Sequence, residues 1–230
     1  EAVMTAWARR INKPRWGEKT PQNAHYADAL IRFFPSAKYV HILRDGRDVA
    51  LSLYKTPFGP KSSYHAARYW LLYLDEVEAL QHGLPENQFF ALRYEDLLTA
   101  PVEVLKSVCR FLDEDYDANM LNFYRENTPS NIEQINRKNL QKPLDASNKD
   151  KWKNGMSLCD LNTFESIAGE RLARLGYERM LEAPSVSHLE YILCRYLKPL
   201  PQRISRMLNN HKAQRELLFR FKNRMDLLFS

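Results

Sequence analysis

The residues of this chain best suited to chemistry are an arginine, a serine and a run of charge between them. Arg44-Asp45-Gly46-Arg47-Asp48 follows directly on the apolar run Lys38-Tyr39-Val40-His41-Ile42-Leu43, and Ser52 comes eight residues after Arg44. The apolar run is short, β-branched and aromatic, and nearly continuous in hydrophobicity, which predicts a strand covered on both faces. Val49 to Tyr54 then has helical character. An arginine leaving the carboxyl end of a buried strand stands where α/β proteins place ligands, and Ser52 is expected about one turn into the following helix, whose first amides favour an anion. A guanidinium fork and a hydroxyl converging there suit a phosphate monoester. The bland alternative is Arg44 bridged to Asp45 or Asp48 for structure alone.

Other chemistry is less well supplied. The six histidines, His25, His41, His65, His82, His188 and His211, form no His-x-His or His-Glu-x-x-His pair, so no metal is expected. His25 reads as a capping or surface group, and His41, inside the strand, as a satisfied core residue. Cys109, Cys159 and Cys194 are odd in number and widely spaced, which argues against a disulfide framework and a zinc site. The seven glycines leave no Gly-x-x-x-x-Gly-Lys-Ser/Thr loop and no Gly-x-Gly-x-x-Gly turn.

The elements that must position Arg44 can be laid out along the chain. Glu1 to Ile11 is expected to be helical, with Val3, Met4, Trp7 and Ala8 on one side. Lys13 to Asn23 holds two prolines and Gly17 in an extended piece leaving a turn, and Asn23 is expected to cap a helix carrying Tyr26, Ala29, Leu30 and Phe33. After the Arg44 unit and a loop from Pro57 to Ser63, a long helix is expected from Tyr64 to Gln81, with Tyr69, Leu72, Tyr73 and Glu76 at helical spacing. Gln88 to Tyr94 reads as a second buried strand. Pro101 opens a helix with the stripe Val102, Leu105, Val108, Cys109 and Leu112, and Asn119 to Tyr124 a further one. Asn127 to Gly155 is polar, either mobile or ordered on a ligand. Leu161 to Leu175 is a last helix with Gly176 as its cap. Strands alternating with helices predict a parallel α/β sheet flanked by helices.

Composition agrees with a globular domain: 230 residues, 44% hydrophobic and 27% charged, enough chain for a core that needs no crosslinks. Charge is uneven. Arg195 to Ser230 carries nine basic and two acidic residues, more than the whole net charge of +6. With Leu189, Ile192, Leu193, Tyr196, Leu217, Leu218 and Phe221 at helical spacing, this tail suits an amphipathic helix that lies on an anionic membrane, binds a polyanion, or packs on the body of the protein. No stretch approaches the ~18 apolar residues of a membrane span.

From Phe34 to Tyr54 the sequence closely resembles the 3′-phosphate-binding segment of sulfotransferases that use 3′-phosphoadenosine 5′-phosphosulfate (PAPS), whose first arginine and the serine eight residues later hold the 3′-phosphate. Arg44 and Ser52 match in identity and spacing. Trp16-Gly17-Glu18-Lys19-Thr20-Pro21 resembles the family's Lys-Thr segment, whose lysine contacts the transferring group. Leu92-Arg93-Tyr94-Glu95-Asp96-Leu97 is similar to its strand-end Tyr-Glu-Asp-Leu, with the tyrosine near the nucleotide. Lys142-Pro143, Lys151-Trp152 and Leu175-Gly176-Tyr177 resemble the closing segment of the Golgi tyrosylprotein branch and its bacterial relatives.

The resemblance implies a P-loop-like sheet, with residues 1–183 as a partial sulfotransferase domain and 184–230 as a basic helical extension. It implies PAPS as co-substrate, Arg44, Ser52, Tyr94 and Lys151 as nucleotide ligands, and Lys19 as the catalytic cation, consistent with a loose transition state stabilised by positioned charge. The family's 5′-phosphosulfate loop has no counterpart, so an N-terminally truncated fragment lacking the first strand-loop-helix is expected. Thr56 and Asn136 stand where the tyrosylprotein branch has an arginine and a serine, and Pro21 where the cytosolic branch has its histidine. The sulfuryl acceptor is of unknown class, no specific nucleic acid is expected, and the location expected is cytoplasmic, or the Golgi should a signal anchor precede. The rival is a non-catalytic nucleotide- or polyanion-binding module.

Overall fold

The computed structural model describes residues 2–56, 59–126 and 141–185; the basic tail beyond 185 and Asn136 lie outside them. The chain divides into two compact units, Glu1–Val49 with Tyr69–Gly155, and Ala50–Arg68 with Met156–Ser230.

The first unit is built on two parallel strands, β1 (Tyr39–Leu43) and β2 (Phe89–Arg93), paired in register from Tyr39 opposite Phe89 to Leu43 opposite Arg93. Parallel neighbours need a long crossover, supplied by helices α3 (Gly46–Tyr54) and α4 (Ser63–His82). Before β1 come α1 (Ala2–Arg10), a 3-10 turn over Pro21–Tyr26 and α2 (Ala27–Phe33). After β2 come α5 (Tyr94–Thr99), α6 (Pro101–Leu112), a 3-10 turn over Ala118–Asn122 and α7 (Phe123–Glu126), then a 3-10 turn over Ala146–Asn148 and α8 (Trp152–Gly155). The architecture is α/β, with a two-stranded sheet among the described residues.

Helix α6 has the strongest local logic. Proline at its first position needs no amide partner, and Cys109 is buried within the expected stripe. It ends at Asp113, in the left-handed region at φ 56°, which aspartate tolerates. Two cations cover its last carbonyls: Lys38 Nζ donates to Phe111 O at 2.6 Å and Arg15 Nη1 to Leu112 O at 2.5 Å, where the helix dipole favours positive charge. Lys38 also pairs with Asp113 and holds its carboxyl below the usual range. Phe111 meets Phe90 of β2 at 5.3 Å between centroids, which sets α6 against the sheet.

Three expectations are corrected. Asn23 does not cap α2, which begins at Ala27; Asn23 instead donates to Glu18, and Pro21 opens a 3-10 turn. On α1 the inward face is Met4, Thr5 and Ala8, while Val3 and Trp7 are exposed. Strand β1 is not covered on both faces: its burial alternates, with Val40 and Ile42 exposed, because β2 is its one strand partner among the described residues. On α4 the buried positions are Ala66, Ala67, Trp70, Leu74 and Leu80, with Tyr69 and Leu72 half exposed.

His41 lies on β1 with its ring 6.3 Å from that of Phe89, and burial holds its imidazole below the ordinary 6.5. The unfolded chain therefore takes up a proton near 6.5 that the folded chain refuses, so His41 contributes stability that is full above that pH and lost as pH falls. Urea midpoints at about pH 7.5 and about pH 5.5 should fall further apart in the parent than in His41→Phe. Equal separations would assign the acid loss to other groups.

The second unit centres on α9 (Leu158–Arg174), whose Leu161, Phe164, Ala168 and Leu172 are buried on one face. Ser157 caps it, accepting from Asp160 N, while the Asp160 carboxylate accepts from Ser157 Oγ and from Ser63 Oγ, each at 2.8 Å. The buried Glu165 accepts the amides of Met180 and Leu181 at 3.0 Å each. Gly176 ends the helix at φ 75°, as its position after Leu175 predicts. Gly59 closes the turn after α3, where an added Cβ would come within 2.2 Å of Leu53 O; Thr56 is part of that turn, its Oγ1 accepting from Gly59 N at 3.0 Å. Among the described residues no helix is long and apolar enough to cross a membrane.

Candidate functional site

Strand register builds the centre of the site. Pairing ends with Leu43 opposite Arg93, so Arg44 and Tyr94 emerge together at the carboxyl edge of the sheet, the ligand-binding edge of α/β folds. The Arg44 guanidinium carbon lies 4.6 Å from the centroid of the Tyr94 ring. One residue further on, Asp45 N donates to Glu95 Oε1 at 3.0 Å. Behind them Trp70 Nε1 donates to the Arg44 carbonyl at 3.2 Å, fixing the backbone as the strand ends.

Arg44 is held but not saturated. Its Nη2 donates to Asn148 O at 2.6 Å and lies 3.5 Å from Asp48 Oδ2. Among the described residues its Nε is buried with no hydrogen-bond partner, and so is Asp48 Oδ2. Buried polar atoms without partners are rare and costly, and a guanidinium with a spare buried N–H beside an aromatic face is a donor set suited to an oxyanion. The bridge to Asp48 exists, and it leaves Nε of Arg44 without a partner among the described residues.

Arg47 and Asp48 anchor the segment that follows residue 140. Arg47, 1% exposed, takes the Asp45 carboxylate with Nε at 3.0 Å and Nη2 at 2.8 Å, and its guanidinium carbon lies 3.5 Å from the Trp152 ring centroid. Asp48 Oδ1 accepts from Trp152 N at 2.9 Å. Burial pushes the Asp48 carboxyl above the usual range, against the opposing pull of the Trp152 amide and the Arg44 charge. Trp152 is thus a buried anchor packed on Arg47.

The remaining site residues are placed as follows. Lys151 is exposed and donates to Asn148 Oδ1, so Asn148 carries contacts to both Arg44 and Lys151. Lys19 is exposed in a turn stapled by Glu18, which accepts from Thr20 and Asn23; among the described residues Lys19 makes no hydrogen bond or ion pair. Ser52 belongs to the second unit and is exposed on α3. That helix starts at Gly46, so Ser52 lies nearly two turns in rather than one. His25 is half-buried, with Nδ1 3.9 Å from Glu76 Oε1 and its ring 4.6 Å from that of Tyr73. Among the described residues no group of three His, Cys, Asp or Glu could hold a metal ion.

Glu95, Trp70 and Asn148 are parts of the site that sequence reasoning missed, whereas Asp48 is the bridge partner it offered for Arg44. Glu95 stands next to Tyr94, so register could have found it. Asn148 meets Arg44 through its carbonyl, a contact that leaves no mark on side-chain chemistry.

The fold that carries this strand end is similar to that of solved sulfotransferase domains. A solved sulfotransferase domain from the curacin biosynthetic pathway superposes with a TM-score of 0.62 at 22% identity, over 77% of this chain and 68% of that one. One from the Synechococcus PCC 7002 olefin synthase gives 0.54 at 22% identity, over 73% and 63%. The sequence pattern of the sulfotransferase family matches residues 1–118, just over half of the chain, and the chain belongs to that family. It is 28% identical to an uncharacterized protein of Aquifex aeolicus over 61% of this chain and 19% of that protein. It is 23% identical to a protein-tyrosine sulfotransferase of Drosophila melanogaster over 74% and 36%. The chain thus spans well under two thirds of either relative.

Proposed function

We propose that this chain transfers a sulfuryl group from PAPS to a hydroxyl acceptor, on a P-loop-like sheet, with Arg44 and Ser52 holding the 3′-phosphate, Tyr94 and Lys151 the nucleotide, and Lys19 the transferring group. The observation that carries this reading is the buried Nε of Arg44, without a hydrogen-bond partner among the described residues, at the carboxyl edge of β1 beside the Tyr94 ring. PAPS supplies an activated sulfuryl group on a phosphate leaving group. In transfer, a bond forms from the acceptor oxygen to sulfur as the bond from sulfur to the bridging phosphate oxygen breaks, and the acceptor proton is lost to base. Charge grows on the leaving oxygen, where a lysine ammonium stabilises it. Lys19, exposed and without a carboxylate partner among the described residues, is the chain's candidate for that role.

Radiolabelled PAPS is incubated with the chain and a panel of hydroxyl acceptors: a tyrosine peptide, a phenol, a sugar and a sterol. The tyrosine peptide is the favoured first acceptor, since similarity extends to tyrosylprotein enzymes. Label transferred to one of them supports the proposal. Lys19→Ala should then lower the transfer rate by about 100-fold while leaving nucleotide affinity nearly unchanged. Nucleotide binding with no transfer to any acceptor would favour the non-catalytic binding module instead.

A further inference from the structure

Two consecutive residues on the first turn of α3 grip the same tryptophan. Arg47 stacks on the Trp152 ring at 3.5 Å, and Asp48 Oδ1 accepts the Trp152 amide at 2.9 Å. Arg47 is itself fixed by the Asp45 carboxylate. Around Trp152 the chain is locally ordered by short-range bonds: Asp145 caps the 3-10 turn by accepting from Ser147 N at 2.9 Å, and Lys153 pairs with Asp150 at 3.2 Å. Asn148, which meets both Arg44 and Lys151, stands four residues before Trp152 in this locally bonded stretch.

We propose that Asp48 is a positioning residue that couples the Arg44 anion site to the segment 141–155, holding the segment through Oδ1 so that Asn148 and Lys151 are presented beside the Arg44 guanidinium. The proposal rests on the nucleotide reading above and deepens it. The Asp48 side chain is fully buried and touches no ligand in this role. It acts through the Trp152 backbone on one side and faces Arg44 Nη2 at 3.5 Å on the other. The groups facing it are Arg44, Asp45 and Asp150, so its carboxylate adds negative charge next to a site meant for an anion.

That last fact makes the test decisive, because charge and positioning predict opposite signs. Simple electrostatics says that removing the Asp48 carboxylate should tighten anion binding. Positioning says that Asp48→Ala, which removes the Trp152 acceptor, should weaken it. Asp48→Asn keeps an acceptor oxygen for the amide and drops the charge, so it should bind as well as the parent or better.

The experiment combines hydrogen exchange with calorimetry, using 3′-phosphoadenosine 5′-phosphate (PAP) as the probe. In the ligand-free chain, exchange at the Trp152 amide should be at least about tenfold faster in Asp48→Ala than in the parent, with β1 and β2 unchanged, and near parental in Asp48→Asn. PAP affinity should fall by about tenfold or more in Asp48→Ala, as expected when the competent arrangement is populated only about a tenth of the time, and should be kept in Asp48→Asn. In the parent, PAP should raise protection across 141–155. Parental Trp152 exchange in a folded Asp48→Ala, or tighter PAP binding by it, would overturn the proposal. If Asp48→Ala does not fold, the parent decides: PAP bound with no added protection across 141–155 would overturn it. A folded parent that binds no PAP fails the nucleotide reading instead, and the ligand-free exchange still decides whether Asp48 anchors the segment.

Discussion

Replacing Arg44 with alanine is expected to weaken PAP binding by about two orders of magnitude, the loss that follows when one partner of a buried, charge-assisted contact is removed. The guanidinium is the cation set over Tyr94 at the carboxyl edge of β1, and among the described residues its Nε has no hydrogen-bond partner. Arg44→Lys should recover part of the loss, because an ammonium keeps the charge but not the planar fork. Both variants leave the Asp48 carboxylate without its 3.5 Å guanidinium partner, so circular dichroism must first show that they are folded. Calorimetry then reads the affinity. A folded Arg44→Ala that binds PAP like the parent would remove Arg44 from the site.

The second large effect is on stability. Asp45 and Arg47 form a buried pair, 5% and 1% exposed, in which the carboxylate takes Arg47 Nε, Nη2 and backbone N. Asp45→Ala strips two acceptor contacts from a buried guanidinium and one from the Arg47 amide, which costs about 3–5 kcal/mol for a broken buried pair. For a chain of this size that lowers the melting temperature by roughly 10 °C. Asp45→Asn should cost less, since its amide oxygen still accepts from Arg47. Urea denaturation of the three proteins checks the order. A loss below about 1 kcal/mol in Asp45→Ala would mean that Arg47 finds other acceptors at once.

Much of this site was legible in the sequence because strand ends are. The apolar runs before Arg44 and Tyr94 are strands within a residue of where periodicity puts them, and parallel register does the rest by bringing the two residues out side by side. What the sequence hid depends on tertiary context. Val40 and Ile42 look like core residues, yet their burial is decided by which neighbours β1 has, and hydropathy along one strand carries no information about that. Tyr26 and Phe33 have helical spacing but face outward, since Pro21 turns the chain into a 3-10 segment before α2 starts. Trp152, known from the sequence only as part of the Lys151-Trp152 pair, is a buried anchor because Arg47 stacks on its ring. Lys19 fits its motif, and its exposed turn leaves its ammonium unengaged among the described residues.

The central claim is that the carboxyl edge of β1 recognises a 3′-phosphate. The most direct measurement titrates the chain calorimetrically with PAP and with adenosine 5′-phosphate, two ligands that differ by that group alone. PAP should bind at least about a hundredfold more tightly, a difference of about 2.7 kcal/mol assigned to the Arg44 site. Equal affinities for the two nucleotides, or no binding of either by folded protein, would contradict it.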